Sequence, residues 1–498
     1  MNVNPITRLD YPDPDVIRVE DTYYMVSTTM HFMPGCEILQ SFDLVHWEHA
    51  TYVYETLDHT DAQQLKSGQN IYGQGMWAAS LRYHEGRFYI CFVANDTRKT
   101  YLYTSEKIDG PWKKQLIEGF YHDGSLLFDE DGRNYIVYGN DEIWITELNE
   151  DLTAPKKDGL HRLLVSDHKN PELGYEGSHI QKINGYYYIF LVHSLRDRWM
   201  RTEACFYSDS LEGEFTGGDV LCDDRGYCGQ GVAQGGIVDT PDGKWYAMLF
   251  QDSGAVGRIP ILLPVTWKDH FPVFGQNGHV PEEIEVHSTR PGYIYQPLVG
   301  SDDFCNGLLP RWQFNHDPDP QYYHLDALQG TYTITTREVC TELTQAVNTL
   351  TQRMSYPSCA AEVTVDASAL KEGDVAGLCA LQSCYAAVGI TKHHGKYEVL
   401  MLDKKEDGIL DMTERTVVES HQMDFRLEAD FCNMKDEARC YYRVNKGDWL
   451  PIGTVHKLYF KLDHFTGCRF GLFCYAAEET GGSACFRDFK YYDVDEIS

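Results

Sequence analysis

The amino-acid sequence predicts an all-β molecule: a five-bladed β-propeller followed by a β-sandwich. Three observations carry this. One short pattern recurs five times in the first half, short alternating runs with polar turns recur in the second, and no long amphipathic helix competes with either.

The recurring pattern reads "DPDVIRVEDTYYMVST" from Asp13, "WAASLRYHEGRFYICFV" from Trp77 and "DGSLLFDEDGRNYIVYG" from Asp123. It returns as "EGSHIQKINGYYYIFLV" from Glu176 and "QGGIVDTPDGKWYAMLF" from Gln234. Each copy has a distinctive first residue, a β-rich run, a turn of Glu-Asp, Glu-Gly, Asp-Gly or Asn-Gly, and a second run carrying tyrosine. Such turns between apolar runs make tight hairpins. Tyr24, Tyr89, Tyr135, Tyr188 and Tyr246 are 65, 46, 53 and 58 residues apart. Multi-strand units at that kind of spacing stack around an axis as propeller blades. Five copies predict five blades, with "TYLYTSEK" and "EACFYSDS" supplying outer strands.

Trp77, Asp123, Glu176 and Gln234 each precede their tyrosine by 12 residues, and Asp13 precedes Tyr24 by 11. That register gathers Asp13, Asp123 and Glu176 around one end of the central channel, with Trp77 and Gln234 completing the ring. It also explains "DYPDPDVIR" (10–18), where Asp and Pro crowd a strand entrance although both are depleted in sheets. A strand entrance at the rim of a pocket is a place for carboxylates. One aspartate beside a hairpin is ordinarily solvated or caps a turn, but three carboxyls at one register are not explained that way. Asp15 has no counterpart in the other copies and is expected to act locally in the turn.

Two carboxyl groups facing each other across a pocket suit glycosidic bond hydrolysis, one as proton donor and the other ionised. A third nearby supplies the like charge that keeps the donor protonated.

From about Trp267 to Asp303 the chain is rich in Pro, Gly and turn residues, reading as propeller closure and linker. The domain boundaries follow as 1–298 and 299–498. Beyond the linker, "CAAEVTVDA", "YAAVGITK", "YEVLML", "HKLYFKLD" and "ACFRDFKYYDV" are short strands of a sandwich. The pair His393 and His394 is assigned to a turn.

The composition narrows the partners. Lys plus Arg number 43 against 75 Asp plus Glu, a formal charge of −32 that repels phosphate backbones and anionic lipid. Nucleic acid and membrane are therefore not expected partners, and a neutral ligand is. The 34 tyrosines suit sheets and sugar-stacking surfaces alike. Fifteen scattered cysteines without a C-x-x-C pair, and an N-terminus without signal-peptide character, lead to an expected cytoplasmic location with buried thiols.

"YPDPDVIR", "HDGSLLFD" and "YEGSHI" resemble the three catalytic stretches of glycoside hydrolase family 43, the inverting five-bladed propeller enzymes. The likeness extends through "GVAQGGIVDT", "GAVGRIPILLPVTW" and the C-terminal half. It implies Asp13 as general base, Asp123 as the carboxylate that tunes and orients the acid, and Glu176 as general acid. Inversion implies carboxyls about 6.5–9.5 Å apart with room for water. Trp77 and Arg258 resemble substrate-contacting residues of the family, although Trp77 could pack between blades and Arg258 could serve a buried ion pair. His31 and Phe32 fall on a loop that often borders the sugar subsites. The family often carries a histidine, helping to hold a calcium on the axis, where this chain has Gln234. No catalytic metal is expected and no cofactor is required, while "SDDF" and "FRDF" could hold a structural calcium in the sandwich.

The resemblance further implies a lectin-like jelly-roll for the second domain, narrowing one side of the active-site mouth in exo-acting members. It also leaves homo-oligomers open. The expected activity is exo-acting, inverting release of a pentose from xylo- or arabino-oligosaccharides, β-D-xylose favoured, with α-L-arabinofuranosidase or dual specificity as the alternative. A retaining fructan-cleaving propeller would show Asn-Asp-Pro-Asn-Gly, Arg-Asp-Pro and Glu-Cys motifs in place of these stretches. A carbohydrate-binding propeller without catalysis would have no use for a buried acid beside a buried base.

Overall fold

The computed structural model describes residues 2–493; Met1 and residues 494–498, the end of the second expected domain, lie outside the described residues. Five four-stranded antiparallel sheets follow one another along the chain. Blade one is Asp15–Val19, Thr22–Val26, Gly35–Ser41 and Glu48–Tyr54; blade two is Met76–His84, Arg87–Ala94, Lys99–Ser105 and Lys113–Ile117. Blade three is Ser125–Phe128, Asn134–Asn140, Glu142–Leu148 and His161–Ser166. Blade four is Glu176–Ile183, Tyr186–Ser194, Arg201–Ser208 and Thr216–Leu221; blade five is Val232–Asp239, Trp245–Asp252, Arg258–Lys268 and Phe271–Phe274. The two runs read as outer strands, near 100–107 and 203–210, are third strands with one more outside each.

First strands of successive blades touch, and that of blade five meets that of blade one, closing a ring about the axis. No blade mixes the chain's ends. The ring is fastened by pairing of Asn2–Val3 with Glu283–Ile284. Asn4 adds to this, donating to the carbonyls of Leu262 (2.7 Å) and Pro281 (2.9 Å) and accepting from Leu262 N–H (3.1 Å).

Asp15 departs from its expected local role. It is buried in the channel and joins three blades, accepting from Leu81 N–H (2.8 Å) and Arg82 Nη1 (2.7 Å) and facing His179 Nδ1 at 3.1 Å. Lacking a counterpart was the mark of a singular tie across the channel. Burial opposes its charge, but Arg82, His179 and the Leu81 amide outweigh it and hold the carboxyl down to about 2. A folded-state value below the ordinary 3.8 stabilises the fold above that value and ceases to do so as the pH falls toward about 2. Asp15→Ala, which strands Arg82, should cost about 3–5 kcal/mol. Denaturant melts at pH 7 check this, and a loss no larger than that of a surface aspartate would refute the bridging role.

The second domain packs an eight-stranded sheet on a seven-stranded one around an apolar core that includes Leu350, Val363, Leu378, Phe425, Phe470 and Phe486, with a smaller cluster around Leu343, Tyr385, Leu400 and Phe473. Its first paired strand is Gln313–Asn315. The propeller adds an edge strand to the larger sheet: Phe32–Met33 pairs with Phe314 and Asn315. His31 and Phe32 are therefore wholly buried between the domains and do not border the pocket. His31 Nε2 lies 3.1 Å from Asn315 Oδ1, and the Arg469 guanidinium stacks 3.4 Å from the Phe32 ring centre. An aromatic loop reads alike in sequence whether it faces a ligand or a neighbouring sheet.

The "SDDF" oxygens turn the chain: Asp302 accepts from Phe304 N–H and Trp312 Nε1, both at 2.8 Å, and Asp303 from Cys305 N–H at 2.9 Å. His393 and His394 lie at the hairpin turn between Tyr385–His393 and Lys396–Lys404. All fifteen thiols are free. No helix among the described residues is long and apolar enough to cross a membrane.

Candidate active site

The strand register refines the ring read from sequence. Tyr24, Tyr135 and Tyr246 pair with Ile17, Leu127 and Val238, four residues after Asp13, Asp123 and Gln234. Tyr89 and Tyr188 pair with Arg82 and Gln181, five residues after Trp77 and Glu176. The equal spacing of 12 thus arises in two ways: from a longer hairpin turn in blades three and five, and from an extra residue before the pair in blades two and four. Asp13, Asp123 and Gln234 share a left-handed backbone, with φ of 52°, 48° and 67°. In blade four that place is taken by Gly177, φ 66°, and Glu176 stands one residue earlier. Non-glycine residues in this region carry strain, which collects at functional sites. Gly177 is doubly required, because a Cβ there would lie 2.6 Å from Gln234 Cγ.

Asp13, Trp77, His122, Asp123, Glu176, Gln234 and Arg258 meet around one cavity of about 180 Å³. Leu173, Trp199 and Arg201 of the propeller, and Leu462 and Phe465 of the sandwich, complete its wall. It is smaller than the roughly 300–1,000 Å³ common for drug-sized ligands and suits a single small ring.

Asp13 is buried and ionically held, accepting from Arg258 Nη1 and from Thr28 Oγ1, both at 2.6 Å. Arg258 lies between stacked rings, 3.8 Å from the Phe465 centre and 4.5 Å from Phe250. Asp252 is shared by two arginines, ion-paired to Arg201 and 3.3 Å from Arg258 Nε. Arg258 is thus held in a buried ion pair and also lines the cavity. Trp77 is fixed by donation to Gly73 O (3.1 Å) and turns its ring toward Phe465, at 5.2 Å between centres, and His122, at 6.0 Å. Gln234 N–H donates to Glu203 Oε2 at 2.7 Å. Asp10 binds the two domains at this point, accepting from Arg258 N–H (2.7 Å) and Gly467 N–H (2.8 Å), and so sets the loop that carries Phe465.

The acidic side of the cavity is a tight cluster. Asp123 Oδ2 accepts from Gly177 N–H (2.9 Å) and Glu176 Oε2 from Asn140 Nδ2 (3.0 Å). His122 Nε2 stands between them, 3.5 Å from Asp123 Oδ2 and 3.6 Å from Glu176 Oε2. Burial and the charges of Glu176 and Asp13 push Asp123 up to about 6 against the pull of His122. Burial alone would lower the His122 imidazole, but Asp123 and Glu176 outweigh it and bring it to about 9. Burial opposes charge on Glu176 as well, yet His122, Arg201 and Arg258 hold it below the usual range. These opposing pulls favour the proton on His122 over either carboxylate.

Sequence reasoning missed His122, Leu173, Trp199, Arg201, Asp252, Leu462 and Phe465. His122 adjoins Asp123 in "YHDGS", and Trp199 and Arg201 sit together in "DRWMRTEACF", a Trp-x-Arg that enters a strand. Leu462 and Phe465 come from the other domain, and no spacing in the sequence announces them.

A family model described as glycosyl hydrolases family 43 matches residues 3–272, and one described as a beta xylosidase C-terminal concanavalin A-like domain matches residues 301–492. The chain is 27% identical, over 99% of its length and 89% of the relative's, to a beta-xylosidase of Formosa agariphila. It is 24% identical, over 82% of its length and 79% of the relative's, to a non-reducing end alpha-L-arabinofuranosidase of Bacteroides ovatus. Among solved structures, a bifunctional GH43-CE protein of Bacteroides eggerthii superposes with a TM-score of 0.91 at 42% identity, covering all of this chain and 64% of that one. With three carboxyl groups around a one-ring pocket, and a family match through the whole propeller, this chain belongs to glycosyl hydrolases family 43 and is a glycoside hydrolase.

Proposed function

We propose that the enzyme releases single pentose units from the ends of short xylo-oligosaccharides by inversion, with terminal α-L-arabinofuranose as the second substrate. One observation carries this reading: a cavity of about 180 Å³ lined by Asp13, Asp123 and Glu176 together, and by Leu462 and Phe465 of the sandwich. A site for one small ring cannot thread a polymer, which favours exo action. A xylopyranose ring has no exocyclic hydroxymethyl group to accommodate.

In this mechanism Asp13, fixed by Arg258 and Thr28, takes the proton of the attacking water. Glu176, in its protonated form, donates to the leaving oxygen, with the His122 imidazole 3.6 Å away. Asp123 supplies a neighbouring like charge that opposes ionisation of Glu176, against the stronger pull of His122, Arg201 and Arg258. The reaction needs no cofactor. The free thiols favour a cytoplasmic enzyme acting on imported oligomers.

The deciding experiment is incubation of the purified protein with xylobiose and with an α-L-arabinofuranosyl xylo-oligosaccharide, identifying the free sugar by chromatography. Xylose from xylobiose at the higher rate is expected. Faster arabinose release moves the primary assignment to arabinofuranosidase, and failure on both contradicts pentose specificity.

A further inference from the structure

We propose that His122, Asp123 and Glu176 form a binding site for a divalent transition cation of the Zn²⁺ class, and that occupancy inhibits the enzyme by engaging Glu176. The imidazole nitrogen and two carboxylate oxygens lie within 4.8 Å of one another, the one such group of three among the described residues. Zinc bound to nitrogen and carboxylate oxygen at about 2.0–2.1 Å in a tetrahedron spaces its ligand atoms about 3.4 Å apart. Here the histidine-to-oxygen edges are 3.5 and 3.6 Å.

The surroundings fit as well as the ligands. Each oxygen is oriented by a neutral donor, Gly177 N–H for Asp123 and Asn140 Nδ2 for Glu176, and neither donor would need to leave. Outer-shell bonds of this sort orient ligands and tighten metal sites. His122 Nε2 is sealed from solvent and has no hydrogen-bond partner. All three ligands line the sugar cavity, which has room for a water as fourth ligand. An imidazole with two carboxylates selects Zn²⁺ or Co²⁺ over Ca²⁺ or Mg²⁺, which take oxygen-rich sets. Gln234 is not among these ligands, and the site is inhibitory, since the cation occupies the group that protonates the leaving oxygen.

The binding stands on geometry alone, while the inhibition rests on the glycosidase reading above. The test titrates metal-free protein with Zn²⁺ by calorimetry for the wild type, His122→Asn, Asp123→Asn and a His393→Asn/His394→Asn control, each checked for an unchanged melting curve. Turnover of xylobiose, whose leaving group needs the Glu176 proton, is followed over the same Zn²⁺ range. One site is expected, weakened at least about ten-fold by either cluster substitution and unchanged by the control. Activity should fall at the concentrations that fill the site and return with chelator. No binding, or binding indifferent to both cluster substitutions, overturns the site. Binding that depends on His122 in an active enzyme without loss of turnover overturns the inhibition. Cluster-dependent binding in a protein inactive on all glycosides upholds the site and overturns the catalytic reading instead.

Discussion

Asp13→Asn lowers kcat/KM by about 10²–10⁴-fold, the usual contribution of a positioned general base, and does so for good and poor leaving groups alike. The reason is local. Arg258 Nη1 and Thr28 Oγ1 both donate to the Asp13 carboxylate, and an asparagine carbonyl can still accept from Arg258. The substitution therefore keeps much of the geometry while removing the carboxylate proposed to take the proton from the attacking water. The matching loss follows because attack by water is common to all substrates. Xylobiose and a nitrophenyl xyloside should suffer equally, with an unchanged melting curve. A variant that loses xylobiose turnover but retains the aryl substrate would assign Asp13 to leaving-group chemistry and reverse the mechanism.

Glu176→Ala gives the opposite signature. Xylobiose, whose departing sugar alkoxide needs a proton, should lose about 10²–10⁴-fold in kcat/KM, while a nitrophenyl xyloside, whose leaving group departs as an anion, should stay within about ten-fold of wild type. His122 Nε2, 3.6 Å from Glu176 Oε2, is the nearest other proton-bearing group, and retained xylobiose turnover in Glu176→Ala would assign the acid role to it. Steady-state kinetics on the two substrates measure the split. Equal losses would remove Glu176 from the acid role.

The fold was legible because the hairpin period is written in local turn chemistry and tyrosines, which tertiary packing does not override. The three carboxyls were legible for the same reason, since a pocket rim at a strand entrance repeats with the blade. Their finer register was not, because an added turn residue in blades three and five mimics the extra residue before the pair in blades two and four. "DYPDPDVIR" shows the limit well. Asp10 sews the propeller to the sandwich loop, Asp13 faces the cavity and Asp15 bridges the channel, yet in sequence the three are alternating acids. Contacts that depend on the second domain, such as Phe465 over Arg258 and the burial of Phe32 beneath Arg469, connect segments more than two hundred residues apart and leave no periodic trace. His31 and Phe32 were misread for that reason, and Arg201 was missed.

The central claim is single-displacement chemistry between Asp13 and Glu176, and proton NMR of the first sugar released from xylobiose tests it most directly. The anomeric doublets are read within the first minutes, before mutarotation mixes them. The account predicts α-xylose first from the β-linked substrate. β-Xylose appearing first would mean retention through a covalent intermediate, and would contradict the roles given to Asp13 and Glu176.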